Sequence, residues 1–174
     1  MKIQALPIDR LTTERLILVP YTLTICQNLL RGDFSDLTVM GWQRGISWPD
    51  ADVIETLPKI INNLSALDAP TGFESWMIIK QDTAEIIGDA GFKGFQADTA
   101  SIDLGYGIIQ EERRKGYARE AAAALIQWAF TNDIVKTITA KCLPDNTGSV
   151  HLLQQLKFTE KHRYDTLVYW SLIR

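Results

Sequence analysis

The order of periodic segments predicts an α+β domain: a mixed, mainly antiparallel twisted sheet of about six to seven strands flanked by helices. Two observations carry that reading. Between Trp76 and Ile109, three apolar runs alternate with short polar turns, the pattern of a meander. On either side of it, residues 22–30, 50–64 and 117–130 place apolar side chains at helical spacing. No linker, repeat or low-complexity tract divides the 174 residues, so 1–174 is expected to form a single domain.

Arg15–Val19 (RLILV) reads as a strand, entered through Thr12-Thr13-Glu14 and ended by Pro20. Thr22–Leu30 turns helical and Gly32 stops it. Gly41–Pro49 is expected to be an aromatic-bearing loop. Asp50 or Asp52 then caps a helix carrying Val53, Ile54, Leu57, Ile60, Ile61 and Leu64, with a kink or break at Pro58. The meander follows as Trp76–Lys80, Glu85–Phe95 and Ser101–Ile109, turning at Gln81–Ala84 and Ala97–Ala100. In the third strand Ile102, Leu104, Tyr106 and Ile108 share one face, and Asp103, Gly105 and Gly107 the other. An Ala-rich helix at Tyr117–Phe130, a strand at Thr137–Cys142 and a helix at Ser149–Leu156 come next. A hairpin of Phe158–Arg163 and Thr166–Leu172 closes the chain.

Composition narrows the function. A net charge of −3 gives no global reason to expect nucleic acid or an anionic membrane surface as partner. Met1-Lys2-Ile3-Gln4 leads into no apolar secretory core, and no apolar run reaches the roughly 20 residues of a membrane span, so a cytoplasmic protein is expected. Cys26 and Cys142 stand alone and His151 and His162 are the only histidines, which argues against a metal site or a disulfide framework.

Arg113-Arg114-Lys115-Gly116-Tyr117-Ala118 joins a strand to a helix, the place where backbone N–H groups and the helix dipole favour an anion. Three consecutive cations there oppose the dipole, each by roughly 0.3–1 kcal/mol, and an anionic ligand converts that penalty into attraction. A solvated basic loop balanced by Glu111 and Glu112 is the other reading. Neither GxxxxGK[ST] nor a strand-following GxGxxG is present.

Arg113-x-x-Gly116-x-Ala118 resembles the R/Q-x-x-G-x-G/A signature of GNAT acetyltransferases. Gly116-Tyr117-Ala118-Arg119-Glu120-Ala121 is similar to the GYATEA form of the branch that acetylates ribosomal-protein N-termini. Thr13-Glu14-Arg15-Leu16-Ile17-Leu18, Asp103-Leu104-Gly105-Tyr106, and Asn146-x-x-Ser149 with Leu156-x-Phe158 resemble that branch's other segments, in the same order. The resemblance implies acetyl-CoA as acyl donor, no metal, and an amine-bearing acceptor, a peptide N-terminus or a small molecule. The protein would be a monomer or homodimer. The backbone of Ile108, Ile109 and Gln110 would pair with the pantetheine arm. N–H groups of Arg114, Lys115, Gly116, Tyr117, Ala118 and Arg119, with the Arg113 and Arg114 side chains, would hold the pyrophosphate. Asn146 would fix the carrier's far arm or cap a helix, and Ser149 would lie near the sulfur.

Two departures from that pattern matter. Leu153 stands where many members carry a tyrosine acid, which leaves Ser149 to support the leaving thiolate. Lys157 replaces a glycine, which should strain a helix end. Asp103 is the candidate base, acting through a water, or else an exposed acid on a sheet face. At pH 7 an α-amine costs about 1.4 kcal/mol to deprotonate and a lysine amine about 4.6, so a site without a strong base favours the α-amine. Trp42, Trp48, Phe73 and Trp76 are divided between an acceptor cleft and the core. A polyamine, amino acid or aminoglycoside acceptor would need converging acids, for which Asp33, Asp36, Asp50, Asp52 and Glu55 are available, although helix capping and solvation also suit them. A carrier-binding sensor without catalysis is the remaining alternative.

Overall fold

A computed structural model describes residues 3–174; Met1 and Lys2 lie outside the described residues. The strands are β1 (Leu11–Thr12), β2 (Leu16–Pro20), β3 (Gln43–Arg44), β4 (Ser75–Lys80), β5 (Glu85–Gln96), β6 (Ser101–Ile108), β7 (Thr137–Cys142), β8 (Thr159–Tyr164) and β9 (Leu167–Ile173). The helices are α1 (Leu23–Leu30), α2 (Ser35–Val39), α3 (Ala51–Ser65), α4 (Tyr117–Phe130) and α5 (Thr147–Gln155). The sheet order is β1-β2-β4-β5-β6-β7-β9-β8, with β3 added alongside β5. The expected mixed, mainly antiparallel sheet is therefore present, lengthened by the two-residue strands β1 and β3.

Trp76, Met77, Ile78 and Ile79 of β4 are all fully buried, so both faces of the sheet centre are covered. Trp128 of α4 packs its ring 5.6 Å from Trp76 and 5.3 Å from Phe73. Ala121, Ala122, Leu125 and Ala129 of α4 are likewise fully buried. Trp48, Phe73 and Trp76 belong to this core, and Trp42 lies partly buried against it.

The pairing that positions the site is the parallel one. Residues Ser101–Asp103 of β6 lie beside Thr137–Thr139 of β7, and there the pairing stops. From Leu104 to Ile108, β6 continues against β5 alone. The connection between β6 and β7 is α4, as a parallel crossover requires.

Three local readings are sharpened. Of the kink or break expected at Pro58, the break does not occur, since α3 runs from Ala51 to Ser65. Pro58 and Ile54, whose carbonyl loses its partner, are both exposed, so that carbonyl is open to solvent. Asp50 rather than Asp52 is the cap, accepting from Val53 N–H at 3.0 Å. The expected loop Gly41–Pro49 contains β3, and α2 precedes it in a segment to which the sequence assigned no element.

The strain foreseen at Lys157 is present. Its φ is 69°, in the left-handed region, at the end of α5. Phe158 N–H donates to the Leu153 carbonyl and Lys157 N–H to that of Gln154, both at 3.0 Å, which completes the helix end that glycine usually makes. Lys157→Gly is expected to stabilise the fold by roughly 1 kcal/mol, about 2–4 °C in melting temperature. A lower melting temperature would contradict the assignment of strain.

Candidate functional site

Where β6 and β7 part, the chain exposes an unpaired strand edge that leads directly into the basic loop. Ile109 N–H donates to the Ile87 carbonyl at 2.9 Å, and the Ile108 carbonyl accepts from Arg113 Nε at 2.9 Å. The Ile109 and Gln110 carbonyls accept from Glu112 and Arg113 N–H in the tight turn that follows. The trio Ile108, Ile109 and Gln110 is thus largely satisfied within the chain, and the open edge lies just ahead of it, along Leu104–Ile108.

The loop then turns through two left-handed residues, Arg114 (φ 62°) and Gly116 (φ 83°). Gly116 takes that conformation freely, whereas Arg114 does so at a cost of roughly 1–2 kcal/mol. Alternation of this kind gathers successive N–H groups into an anion-binding concavity. Gly116 caps α4 without any side-chain hydrogen bond, so the first-turn donors of Tyr117, Ala118 and Arg119 keep no local partner. Lys115 is paired with Glu112 at 2.9 Å, and Glu112 with Lys80 at 3.2 Å. Among the described residues no carboxylate pairs with Arg114, which is exposed. The basic loop is therefore only partly neutralised from within.

A brace unforeseen in the sequence holds this loop from behind. The Arg15 guanidinium donates to the Lys115 carbonyl at 2.9 Å and to Glu120 at 2.7 Å, and stacks 4.5 Å from the centre of the Tyr117 ring. Glu120 also accepts from Thr13 Oγ1 at 2.6 Å and from Arg15 N–H at 2.8 Å. Burial raises the Glu120 pKa, but Thr13 and both Arg15 contacts outweigh it and hold the carboxyl below its ordinary value. Thr13 and Arg15 of the opening motif therefore act on the loop motif, 100 or more residues away in sequence.

Asn146 caps α5, accepting from Ser149 N–H at 3.1 Å. Ser149 lies beside the Tyr106 phenol; burial raises the phenol pKa and the Ser149 contact works against that rise. Leu153 is buried and offers no acid.

Asp103 shares its sheet face with Gly107 but lies four residues away, about 13 Å along the strand. Its carboxylate accepts from Lys93 Nζ at 2.5 Å and from Thr139 Oγ1 at 2.8 Å. These contacts tie β6 to its neighbours at the last residues where β6 and β7 pair.

A cavity of about 770 Å³ opens between α3 and strands β5 and β6, lined among others by Asp50, Asp52, Asp89, Tyr106, Gly107 and Arg113. None of Trp42, Trp48, Phe73 and Trp76 lines it, because three of them are spent in the core. Asp89 faces Gly107 across the β5–β6 pair. Burial pushes its carboxyl up from 3.8 to about 7, Asp50 and Asp52 add repulsion, and Tyr21 pulls the other way. Such a shift makes it a better proton acceptor than an ordinary aspartate by about 4 kcal/mol. Sequence reasoning missed Asp89, which sits inside the apolar run Ile86-Ile87-Gly88-Asp89-Ala90; a lone acid in such a run is the one signal available.

Over residues 15–159 the sequence matches the family described as Acetyltransferase (GNAT) domain. It is similar to the N-acetyltransferase YjdG of Bacillus subtilis (strain 168), 34% identical over 163 residues that cover 94% of this chain and 97% of the relative. Among solved structures, RimL, a ribosomal L7/L12 α-N-protein acetyltransferase in complex with coenzyme A, shares the fold with a TM-score of 0.67 at 17% identity, over 92% of this chain and 95% of that one. The microcin C7 self-immunity acetyltransferase MccE, in complex with acetyl-CoA and AMP, shares it with a TM-score of 0.65 at 14% identity, over 93% and 94%. Among the described residues no helix is long and apolar enough to cross a membrane.

Asp89 has a consequence for stability. Its folded pKa of about 7 lies above the ordinary 3.8, so between those values the folded chain holds a proton that the unfolded chain has lost. Stability therefore falls as pH rises through that window. Denaturant unfolding of Asp89→Asn is expected to show a larger gain over the parent at pH 8 than at pH 5. An equal gain at both would contradict the raised pKa.

Proposed function

The chain belongs to the GNAT acetyltransferase family and is an acetyl-CoA-dependent N-acetyltransferase; from that premise we propose that a primary amine attacks the thioester directly, at the point where β6 and β7 part. The observation that carries this reading is the continuity of the open Leu104–Ile108 edge with the basic, left-handed loop at Arg114–Gly116. An extended pantetheine arm would add to that edge as a strand does, reaching Ile108, Ile109 and Gln110 at its end. The carbonyls of these residues each keep a second lone pair for the arm. The pyrophosphate would meet the N–H groups of Arg114 to Arg119 with the side chains of Arg113 and Arg114 around it. Asn146 and Ser149 stand beyond the parting of the strands, where the carrier's sulfur end would come past Tyr106.

Of the three chemical tasks, oxyanion stabilisation falls to a backbone N–H of the Gly105–Ile108 segment, since that of Ile109 is already engaged. Protonation of the leaving thiolate falls to Tyr106, a phenol kept protonated by burial and supported by Ser149 in place of the acid missing at Leu153. Asp103, held by Lys93 and Thr139, is assigned to keeping β6 and β7 in register rather than to proton transfer. The preference for an α-amine rested on a site without a base, and Asp89 removes that premise.

A thiol-release assay with acetyl-CoA against peptide N-termini, amino acids, polyamines and aminoglycosides tests the reading. Turnover with one class supports it; tight CoA binding without release from any of them would favour a carrier sensor instead. Gly116→Glu, which places a side chain in the left-handed turn and a negative charge against the pyrophosphate, is expected to abolish acetyl-CoA binding by calorimetry. Unchanged affinity would remove the proposed phosphate site. Tyr106→Phe is expected to lower kcat by at least about 10-fold with little change in the KM for acetyl-CoA. A purely structural role would alter melting temperature and leave kcat in place.

A further inference from the structure

Three carboxyls converge on the cavity from separate elements: Asp50 and Asp52 at the start of α3, and Asp89 from β5. The other acids expected to supply such a cluster do not line the cavity. Asp33 accepts from Ser35 N–H at 2.9 Å, and Asp36 accepts from Asn28 Nδ2 at 2.6 Å. Glu55 is exposed and does not line the cavity.

A second observation is independent of this charge. The Tyr21 hydroxyl is wholly buried behind Asp89, acts on that carboxyl, and has no partner within close hydrogen-bond geometry among the described residues. Behind the Asp89 carboxyl, which lines the cavity, the wall is therefore polar rather than apolar. Tyr21 and Cys26 face Asp89 from the α1 side, and Asp50 and Asp52 from α3. The cations on the cavity wall are otherwise committed or distant. Lys93 is paired with Asp103, Arg113 is turned to the Ile108 carbonyl, and Lys59 lies seven residues along α3 from Asp52, about 10 Å away.

We propose that Asp89 receives the acceptor's reacting ammonium and its proton, and that Asp50 and Asp52 select an aliphatic amine carrying at least one further positive charge. This deepens the transferase reading and rests on it for the chemical step. The acceptor enters as R–NH3+ and must lose two protons. One passes to the Asp89 carboxylate and on to solvent, leaving the nitrogen lone pair free. That pair forms the N–C bond to the acetyl carbonyl, the C–S bond breaks, and the second proton ends on the carrier's sulfur.

The test uses butane-1,4-diamine and butylamine as probes with the CoA-bound protein at pH 7. Calorimetry is expected to show the diamine binding at least 10-fold more tightly, with proton release read from buffers of different ionisation enthalpy. Asp89→Asn is expected to abolish the release. Asp50→Asn, which preserves the helix cap, is expected to erase the diamine's advantage. In turnover, Asp52→Asn should shift the acidic limb of kcat/KM to lower pH, because removing a like charge makes Asp89 ionise more readily. Equal binding of the two probes would overturn the acceptor class, and release unchanged in Asp89→Asn would overturn the role of Asp89. Diamine binding with proton release but no thiol release would sustain this site and count against the transferase reading alone.

Discussion

The structure depends on a pairing that stops. Strands β6 and β7 share three residue pairs and then separate, although each continues for several residues. Unpaired strand edges in a sheet are ordinarily covered or blunted, because their free N–H and C=O groups recruit other chains. Here the gap is kept open inside the sheet by antiparallel partners on both outer sides, β5 for β6 and β9 for β7. Asp103, bound to Thr139 from one strand to the next, stands at the point where pairing ends. The open edge, the cavity beside it and the loop at its end all follow from that divergence.

Two electrostatic regions meet at the gap, and each is held in a state it would not adopt alone. At the loop, cations crowd a helix N-terminus that favours anions. Glu112 restrains part of that charge by pairing with Lys115, and Arg15, itself paired with Glu120, fixes the loop backbone through the Lys115 carbonyl. On the cavity side, Asp89 is kept from ionising easily by burial and by Asp50 and Asp52. A basic loop proposed for phosphates and an acidic cavity proposed for an ammonium thus both adjoin β6. Transfer from an anionic carrier to the cationic acceptor proposed above is the chemistry such an arrangement would serve.

How much of this was legible in the sequence follows the range of the interactions involved. The loop at Arg113–Ala118 was readable because its chemistry is local: a strand end, three cations, a glycine and a helix start within a few residues. The helix over Tyr117–Phe130 and the strained Lys157 were readable for the same reason. The Arg15–Glu120 brace was not, since its two ends are 105 residues apart. Asp89 was hidden in another way: its raised pKa comes from burial and from Asp50 and Asp52, with Tyr21 opposing, surroundings that only the packing of α3 and the Tyr21 segment around β5 brings near. Asp103 stood out in sequence because it falls within a recognisable motif, yet its partners Lys93 and Thr139 come from neighbouring strands. The continuous α3 shows the same limit, as exposure of the turn at Ile54 and Pro58 is a tertiary property.

The central claim is that the parted strands receive the acyl carrier. Amide hydrogen exchange followed by mass spectrometry, with and without acetyl-CoA, tests it most directly. The account predicts slowed exchange in two segments on binding, residues 104–110 and 114–119, with little change at the distal β8–β9 hairpin. Protection confined to other parts of the chain, or none at all under saturating acetyl-CoA, would contradict it.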